Sequence, residues 1–364
     1  MISMNRRQFL GFLAAACGSL SVGKINAHAK GMSKLRRGTL PMGMYIIDAH
    51  SHPDHFYLPG CTICDHPLDQ IIEIGMNASS FAAVGDFAYS HPTVSFGELL
   101  MQLDYVKNLE EAGRVKIIRQ ISDIPHVERA PGFAPGAILS VEGGTPLEGD
   151  PDKVDELYEY GVRLITLMHY RVNAIGDIMT PIPDGIVPNG GLMDDGRAIV
   201  ERMFHLGMVV DVAHAHIDTL RGIADIALHY GKPIIDSHTS PSYLETPVDP
   251  IRLRSWAEME MVAETGGIIC TWPLKVSKPG RRSNRETLLD WAKESLRLKE
   301  RLGIEHIGLG TDQGGGLPEV VAGWESILNI VDLAEAMLDV GFTKREVSAY
   351  MGGNFLRVFK QSIR

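Results

Sequence analysis

Short apolar runs rich in β-branched residues alternate with longer amphipathic segments along the chain from Met44 onwards. The short runs predict strands, whereas the longer segments have the 3.6-residue period of helices. The predicted strands are Tyr45–Ala49, Ser80–Gly85, Ala137–Val141, Arg163–Met168, Met208–Ala213, Pro233–Ser237, Gly267–Thr271 and His306–Thr311. The predicted helices between and after them are Phe96–Ala112, Lys153–Tyr160, Asp195–Leu206, Asp218–Tyr230, Trp256–Glu264, Arg285–Leu302 and Trp324–Leu338.

The repeated order of strand, loop and helix predicts the fold. Strands that are apolar almost throughout, such as Met208–Ala213, are typical of a parallel sheet buried on both faces. Eight such units predict an α/β fold of the (β/α)8 TIM-barrel type, with an extra helix at Lys344–Phe359 packing over the barrel. A doubly wound open sheet is the alternative, but Asp48–His52 stands where that fold usually has a glycine-rich phosphate loop. No linker interrupts residues 30–364, which are predicted to form one domain.

The first 29 residues have the pattern of an export signal. Paired arginines and Phe9-Leu10 lie within residues 5–10, an uncharged apolar stretch continues to Val22, and Ala27-His28-Ala29 supplies small residues for cleavage. The pattern resembles the twin-arginine signal, which predicts a periplasmic or secreted protein. The apolar stretch is shorter than the roughly 20 residues of a membrane span, and a tethering amphipathic segment is the alternative.

The charge of the chain argues against one class of partner, and its cysteine content argues against one class of fold. Of the 364 residues, 35 are Lys or Arg and 45 are Asp or Glu, which gives a formal charge of −10 and makes nucleic acid an unfavourable partner. The four cysteines are too few for a disulfide framework. Cys61 and Cys64 form a CxxC pair, and the sequence leaves open whether they form a disulfide or remain inert thiols.

Metal-binding side chains follow many of the predicted strands, at the end of a barrel where chemistry usually occurs. These residues are His50, His52, Glu142, His169, His214, His238 and Asp312. His50 and His52 can face the same way, because side chains repeat with period two along a strand. His216 has the same spacing from His214 and is interpreted as the start of a helix or as a supporting residue.

Imidazole and carboxylate ligands suit zinc, and also manganese, iron or cobalt. A carboxylate that bridges two ions holds them about 3.5–4 Å apart and lets them share a hydroxide of lowered pKa. Glu142 is placed for this bridge, so we expect two divalent ions, with zinc as the default.

Several segments together resemble the membrane (renal) dipeptidase family of zinc metallopeptidases, whose fold is a (β/α)8 barrel of the metal-dependent hydrolase type. The segments that carry the resemblance are Ile47–His50, Ser140–Gly144, Tyr160–His169 with Asn173, Leu206–His214, Ser237–Ser240, Ala263–Gly267, Gly308–Asp312 and Gly353–Val358. The resemblance spans nearly the whole chain after residue 29. It implies cleavage of the amide bond of a dipeptide, and it favours a homodimer.

The resemblance also implies which residues hold the metal. Glu142 would bridge two ions, His50 would bind the first, and His214 with His238 would bind the second. His52 stands where the family has Asp, and an imidazole there can still be a ligand to the first ion. Because this replacement removes one negative charge, we hypothesise a shift towards N-acylated or anionic substrates.

The remaining implied roles concern catalysis and substrate binding. Asp312 would hold and shuttle the proton of the nucleophile, although Gln313-Gly314-Gly315 replaces the Phe-Asp-Gly that usually follows it in the family. His169 would donate a hydrogen bond to the oxyanion. Arg252 would grip the terminal carboxylate of the substrate, with Arg254 as a rival at the same turn. The alternatives are an amidohydrolase acting on N-acyl amino acids, lactones or β-lactams, and a silent periplasmic binding protein.

Overall fold

A computed structural model describes residues 44–53, 67–126, 133–247, 253–277 and 284–363. Its strands are β1 (Ile47–Ser51), β2 (Ala78–Val84), β3 (Lys116–Ile117), β4 (Gly136–Glu142), β5 (Leu164–Thr166), β6 (Val209–Asp211), β7 (Ile235–Thr239), β8 (Ile268–Thr271), β9 (Val276–Ser277), β10 (Asn284–Arg285) and β11 (Ile307–Leu309). Every strand that was predicted has a counterpart here, with bounds that differ by a few residues.

The main sheet runs in the order β1-β2-β4-β5-β6-β7-β8-β11, and each neighbouring pair is parallel. The two ends of the sheet meet, because Asp312 N donates to His50 O at 2.8 Å and His52 N donates to Gln313 O at 2.7 Å. These bonds join the segment after β11 to β1 and close the barrel at the carboxyl ends of its strands. The barrel prediction is confirmed, and the open-sheet alternative is wrong.

Helices connect the strands on the outside of the barrel. Within the described ranges they are Pro67–Ile74, Phe96–Glu111, Asp152–Tyr160, Asp194–Leu206, Ile217–Tyr230, Trp256–Glu264, Leu288–Leu302, Ile330–Asp339, Lys344–Ser348 and Asn354–Ser362. Gly161, Gly207 and Gly231 end three of them in the left-handed conformation that a C-cap favours.

Two helices begin three or more residues later than the sequence predicts. The helix expected from Arg285 begins at Leu288, because the Thr287 hydroxyl caps it by accepting from Asp290 N at 3.2 Å. The helix expected from Trp324 begins at Ile330, because a separate 3₁₀ turn at Ile327–Asn329, capped by the Ser326 hydroxyl, precedes it.

The final helix, expected to be continuous over Lys344–Phe359, is interrupted by a π-helical turn at Ala349–Gly353. A side chain at Gly352 would place its Cβ atom 2.7 Å from Ile47 N and 2.8 Å from Tyr45 O. The turn therefore lets the chain pass directly against the start of β1. The helix Pro67–Ile74 was missed from the sequence.

An apolar layer fills the amino-terminal half of the barrel. Its strands contribute the fully buried residues Ile47, Ala78, Ile138, Leu164, Val209, Ile235 and Ile268. Phe355 and Phe359 of the final helix stack on each other with ring centroids 5.7 Å apart and join this cluster. Burial of each large apolar side chain contributes about 1.5–3 kcal/mol. The sequence predicted that this helix packs over the barrel, and the structure places it at the amino end, so the buried polar groups of the barrel collect towards its carboxyl end.

None of the helices in the described ranges is long and apolar enough to cross a membrane.

Candidate metal centre

The first pair of imidazoles lies on β1 and directly after it. His50 and His52 are both buried, and their Nε2 atoms are 3.3 Å apart. The Nδ1 atom of His52 lies 2.8 Å from Ala82 O and donates to that carbonyl. This bond leaves the Nε2 lone pair of His52 directed at the centre of the barrel mouth, as a metal ligand requires.

The second pair comes from the ends of β6 and β7. The Nε2 atoms of His214 and His238 are 3.0 Å apart, and both rings are buried. Ser237 Oγ lies 2.9 Å from His238 Nδ1 and fixes the orientation of that ring. His214 has φ = 64°, a left-handed conformation that is costly for a residue with a Cβ atom. Such strain is typical of functional positions, where the surrounding structure enforces it.

Glu142, the last residue of β4, lies between the two pairs. Its Oε1 atom is 3.4 Å from His50 Nε2 and 3.3 Å from His214 Nε2. Its other oxygen, Oε2, is 3.3 Å from His52 Nε2. The carboxylate thus contacts imidazoles of both pairs. It forms one group of three buried side chains with His50 and His52, and a second group with His214 and His238. Within each group the candidate ligand atoms lie within 4.8 Å of one another.

These spacings fit a bound metal ion. Ligand atoms at zinc-to-nitrogen distances of 2.0–2.1 Å and tetrahedral angles lie about 3.3 Å apart. The separations between nitrogen and oxygen atoms in both groups are 3.3–3.4 Å, and those between nitrogen atoms are 3.0 and 3.3 Å. The donor set present in this chain therefore fits a divalent ion in either group.

The carboxylate and the imidazoles also shift each other's protonation. Burial raises the pKa of Glu142, but His169 and His50 lower it more strongly, so the pKa falls well below its usual value. Burial lowers the pKa of His50, whereas the Glu142 and Asp312 carboxylates outweigh burial and raise the pKa to about 9. A metal ion that binds His50 must therefore displace a proton held there by Glu142.

Asp312 lies at the edge of the same cluster. Its Oδ1 atom is 3.5 Å from His52 Nε2 and 4.0 Å from His50 Nε2. Asp312 also has a left-handed backbone, with φ = 50°. A Cβ atom on Gly315 would lie 2.0 Å from Asp312 Oδ1, so the glycine-rich segment after Asp312 wraps closely around its carboxylate. At Gly314, which replaces the Asp of the usual motif, a Cβ atom would lie 2.2 Å from His52 O, and this close approach gives that departure a structural reason.

His169 approaches the centre from the loop after β5, with its Nε2 atom 3.6 Å from Glu142 Oε2. Its Nδ1 atom lies 3.0 Å from Asp86 O and donates to this carbonyl. Asp86 was missed from the sequence. It is fully buried, and it accepts from Tyr170 N at 2.9 Å and from Thr145 Oγ1 at 2.7 Å. Asp86 therefore fixes the turn that presents His169.

Buried aspartates beneath the imidazoles were also missed. Asp48 accepts from His50 N at 3.2 Å and from Thr311 N at 2.8 Å, and burial raises its pKa to about 6. Asp211 accepts from Ala213 N and Ser237 N, each at 3.0 Å. The signal in the sequence was an aspartate two or three residues before a histidine, at His50, His214 and His238.

The structure separates the two arginines considered for the substrate. Arg254 is buried and bound to interior groups, including Asp236 Oδ2 at 2.7 Å, so it cannot grip a substrate. Arg252 lies outside the described residues, as do Cys61, Cys64 and the predicted signal at residues 1–29. His216 caps the helix Ile217–Tyr230 by accepting from Asp218 N at 3.3 Å, which agrees with its interpretation as a helix start.

Comparison with known sequences identifies dipeptidases as relatives. Dipeptidase tcpJ of Claviceps purpurea is 26% identical over 283 residues, which are 76% of this chain and 62% of that protein. An uncharacterized dipeptidase of Schizosaccharomyces pombe, C965.12, is 30% identical over 227 residues, which are 62% of this chain and 52% of that protein. The chain thus spans between about half and two thirds of the length of these two relatives.

Comparison with solved structures agrees with the barrel. The probable dipeptidase PvdM from Pseudomonas aeruginosa superimposes with a TM-score of 0.76 at 18% identity, over 91% of this chain and 97% of that one. A metallo peptidase from Rhodobacter sphaeroides, liganded with a phosphinate mimic of the dipeptide L-Ala-D-Ala, gives 0.71 at 18% identity, over 88% and 99% of the chains. At these identities the likeness shows the shared fold.

A family model provides the broadest match. The model, described as membrane dipeptidase (Peptidase family M19), matches residues 70–363 and thus most of the chain. The match includes Glu142 and both imidazoles of the second pair, while His50 and His52 precede it. From the extent of this match and the barrel that carries these ligands, the chain belongs to the membrane dipeptidase family.

Proposed function

We propose that the protein is a metal-dependent hydrolase that cleaves the amide bond of dipeptides, with two divalent ions, zinc by ligand type, held at the barrel mouth. The observation that carries the proposal is Glu142, whose two oxygens face imidazoles of both pairs at 3.3–3.4 Å. His50 and His52 would hold one ion, and His214 and His238 the other, with Glu142 shared. Family membership supports the same reaction class.

The residues around this centre suit amide hydrolysis. Bound divalent ions would polarise the scissile carbonyl group and lower the pKa of a water molecule. Asp312, whose carboxylate lies 3.5 Å from His52 Nε2, would accept the proton of the attacking water and deliver it to the leaving amine. His169 would donate from Nε2 to the carbonyl oxygen as that oxygen gains charge. Since Nδ1 of His169 already donates to Asp86 O, donation from Nε2 requires the imidazolium form.

Two residues would select the substrate. Arg252 is proposed to bind the terminal carboxylate, a role that suits a planar guanidinium and for which its rival Arg254 is not free. His52 is proposed to shift preference towards N-acylated or anionic substrates, because the cluster has one carboxylate fewer than His-x-Asp would supply.

The experiment is hydrolysis of a matched panel by zinc-loaded protein, with the Glu142→Gln variant as the blank. The panel contains free dipeptides beside their N-acetylated and lactone counterparts. Turnover of free or N-acylated dipeptides that disappears in the variant is expected. Turnover restricted to lactones would agree with the proposed metal centre but would reject the proposal that the substrate is an amide. Bound zinc without turnover of any compound would reject the enzyme in favour of a binding protein.

We also propose that residues 1–29 direct export by the twin-arginine route to the periplasm or beyond. The pair Arg6-Arg7 within the signal pattern supports this proposal. Replacement of both arginines by lysine should retain the protein in the cytoplasm, as cell fractionation would detect. Export that continues unchanged in this double variant would reject the twin-arginine assignment.

A further inference from the structure

Arg254 makes an unusual set of interior contacts. Its side chain is 1% exposed, and its guanidinium group donates in four directions. The Nη2 atom donates to Val212 O at 2.6 Å, and Nη1 donates to Ala215 O at 2.7 Å. The remaining bonds run from Nε to Asp236 Oδ2 at 2.7 Å and from Nη1 to Glu258 Oε1 at 3.0 Å.

Two of these bonds clamp the turn that carries His214. Val212 and Ala215 flank His214 on either side, and Ala215 N also donates to Val212 O at 3.0 Å. The left-handed backbone of His214 is unfavourable for a residue with a Cβ atom, so the turn must be held by its surroundings. A single planar guanidinium group that binds both flanking carbonyls fixes the direction in which the His214 ring leaves the turn.

The other contacts connect the same guanidinium group to the strand that carries His238. Asp236 lies two residues before His238 on β7, and its carboxylate receives the Arg254 Nε hydrogen. The backbone of Arg254 adds a second connection, because its N–H donates to Ser240 O at 2.9 Å, two residues after His238. Arg254 thus contacts the chain on both sides of each imidazole in the second pair.

The base of this arrangement is rigid. Glu258, which receives Arg254 Nη1, is also the third residue of the capping box of the helix Trp256–Glu264. Its Oε2 atom accepts from Ser255 N at 2.7 Å and from Ser255 Oγ at 2.8 Å. The orientation of the guanidinium group is therefore set by a helix start that itself lies outside the metal cluster.

We propose that Arg254 is a positioning residue that holds His214 and His238 at the separation required to bind one metal ion. The inference rests on the proposed metal centre and adds a separate claim: the second ion depends on Arg254, and the first ion, held by His50 and His52, does not. Residues that orient metal ligands typically change metal affinity by about 10- to 100-fold when they are replaced.

The test is a zinc titration of the Arg254→Lys variant against a competing chelator. Lysine keeps the positive charge beside Asp236 and Glu258, but one ammonium group cannot bind the two carbonyls and both carboxylates in the same plane. We expect the wild type to bind two equivalents of zinc, and the variant to bind one of them about 10- to 100-fold more weakly. Equal affinities for both equivalents in variant and wild type would overturn the inference.

A double-mutant cycle assigns the effect to the second pair. In a His238→Ala background the second site is already damaged, so Arg254→Lys should change the affinity of the remaining zinc less than twofold. A further loss of tenfold or more in this background would overturn the inference, because it would mean that Arg254 acts on the whole barrel. Wild-type protein that binds no zinc would instead reject the metal centre itself, and the inference with it.

Two further variants separate positioning from stability. Arg163→Lys is the matched control, because the Arg163 guanidinium group also donates to backbone carbonyls, Arg119 O and Tyr158 O at 2.9 Å, next to the amino end of β5. It should lower the melting temperature without changing zinc binding. If Arg254→Lys does not fold, Arg254→Met combined with Asp236→Asn and Glu258→Gln removes the clamp without leaving a buried charge unpaired, and the same loss of one zinc is expected.

Discussion

The Glu142→Gln variant tests the shared carboxylate most directly. The substitution keeps the volume of the side chain that supplies one of the three protein ligands to each group. An amide oxygen can bind one ion, but the amide nitrogen that replaces the other oxygen is a hydrogen-bond donor and cannot bind the second. The contacts that Glu142 Oε2 makes with His52 in the first group and Oε1 makes with His214 in the second, each at 3.3 Å, thus cease to be equivalent.

The expected loss can be scaled from the ligand count. Zinc binding by small structural sites is worth about 10–16 kcal/mol, or roughly 2.5–4 kcal/mol for each of their four protein ligands. At about 1.4 kcal/mol for each factor of ten, the loss of one ligand lowers zinc affinity by about 10²- to 10³-fold. We expect this loss for at least one of the two equivalents, measured by competition with a chromophoric chelator.

A control variant separates this effect from general destabilisation. Glu294 is as buried as Glu142, at 3% exposure, and pairs with Arg285 away from the metal cluster. Glu294→Gln should lower the melting temperature because it leaves Arg285 without its carboxylate, yet it should bind two equivalents of zinc with wild-type affinity. If Glu142→Gln itself binds two equivalents within tenfold of the wild type, Glu142 is not the shared ligand.

Three further predictions concern catalysis, specificity and acid stability. Asp312→Asn should lower kcat by about 10²- to 10⁴-fold with zinc content unchanged, and a loss of zinc instead would make Asp312 a ligand rather than a proton carrier. His52→Asp should raise turnover of free dipeptides relative to their N-acetylated forms. An unchanged ratio would contradict the proposal that the missing negative charge at His52 sets the substrate preference. Hydrogen bonds from Lys299 and from the Thr343 backbone lower the pKa of Glu346 to about 2, so the ionised form stabilises the fold above pH about 4.5, and this stability is lost as pH falls towards 2. Glu346→Gln should therefore be less stable than the wild type at pH 7 and equally stable near pH 2, as chemical denaturation at both pH values would show.

The strand ends could be predicted from the sequence because a barrel brings them together whatever their separation along the chain. His50 and Glu142 are 92 positions apart, yet both are the side chains that parallel strands present at one end of a closed sheet. Hydrophobic runs located the strands, and the residue after each run then located the site. The same logic needs no knowledge of side-chain contacts, which is why it could anticipate that the imidazoles and Glu142 lie close together.

The supporting residues could not be found in this way. Asp86 and Arg254 act through backbone atoms of segments that are distant in sequence, such as Tyr170 N and Val212 O. The periodic pattern of hydrophobic residues does not predict such contacts, because they depend on the final packing of loops. The π-helical turn at Ala349–Gly353 was missed for a related reason. It accommodates the close approach of the start of β1 to Gly352, which the local helix propensity of the segment does not indicate.

The closure between β1 and the segment after β11 has a consequence for the order of assembly. Asp48 accepts from Thr311 N across 263 positions of the chain, next to His50 and the main-chain bonds that complete the ring of strands. Contacts of such long sequence separation form late in folding, because their loop-closure entropy is offset only once the intervening units are in place. During synthesis, the first proposed ligands to leave the ribosome, His50 and His52, have their backbone fixed only after the last strand, β11, has been made. Full metal affinity should therefore develop only after the whole barrel has been made. Tight metal binding would then distinguish fully folded chains from incompletely folded ones.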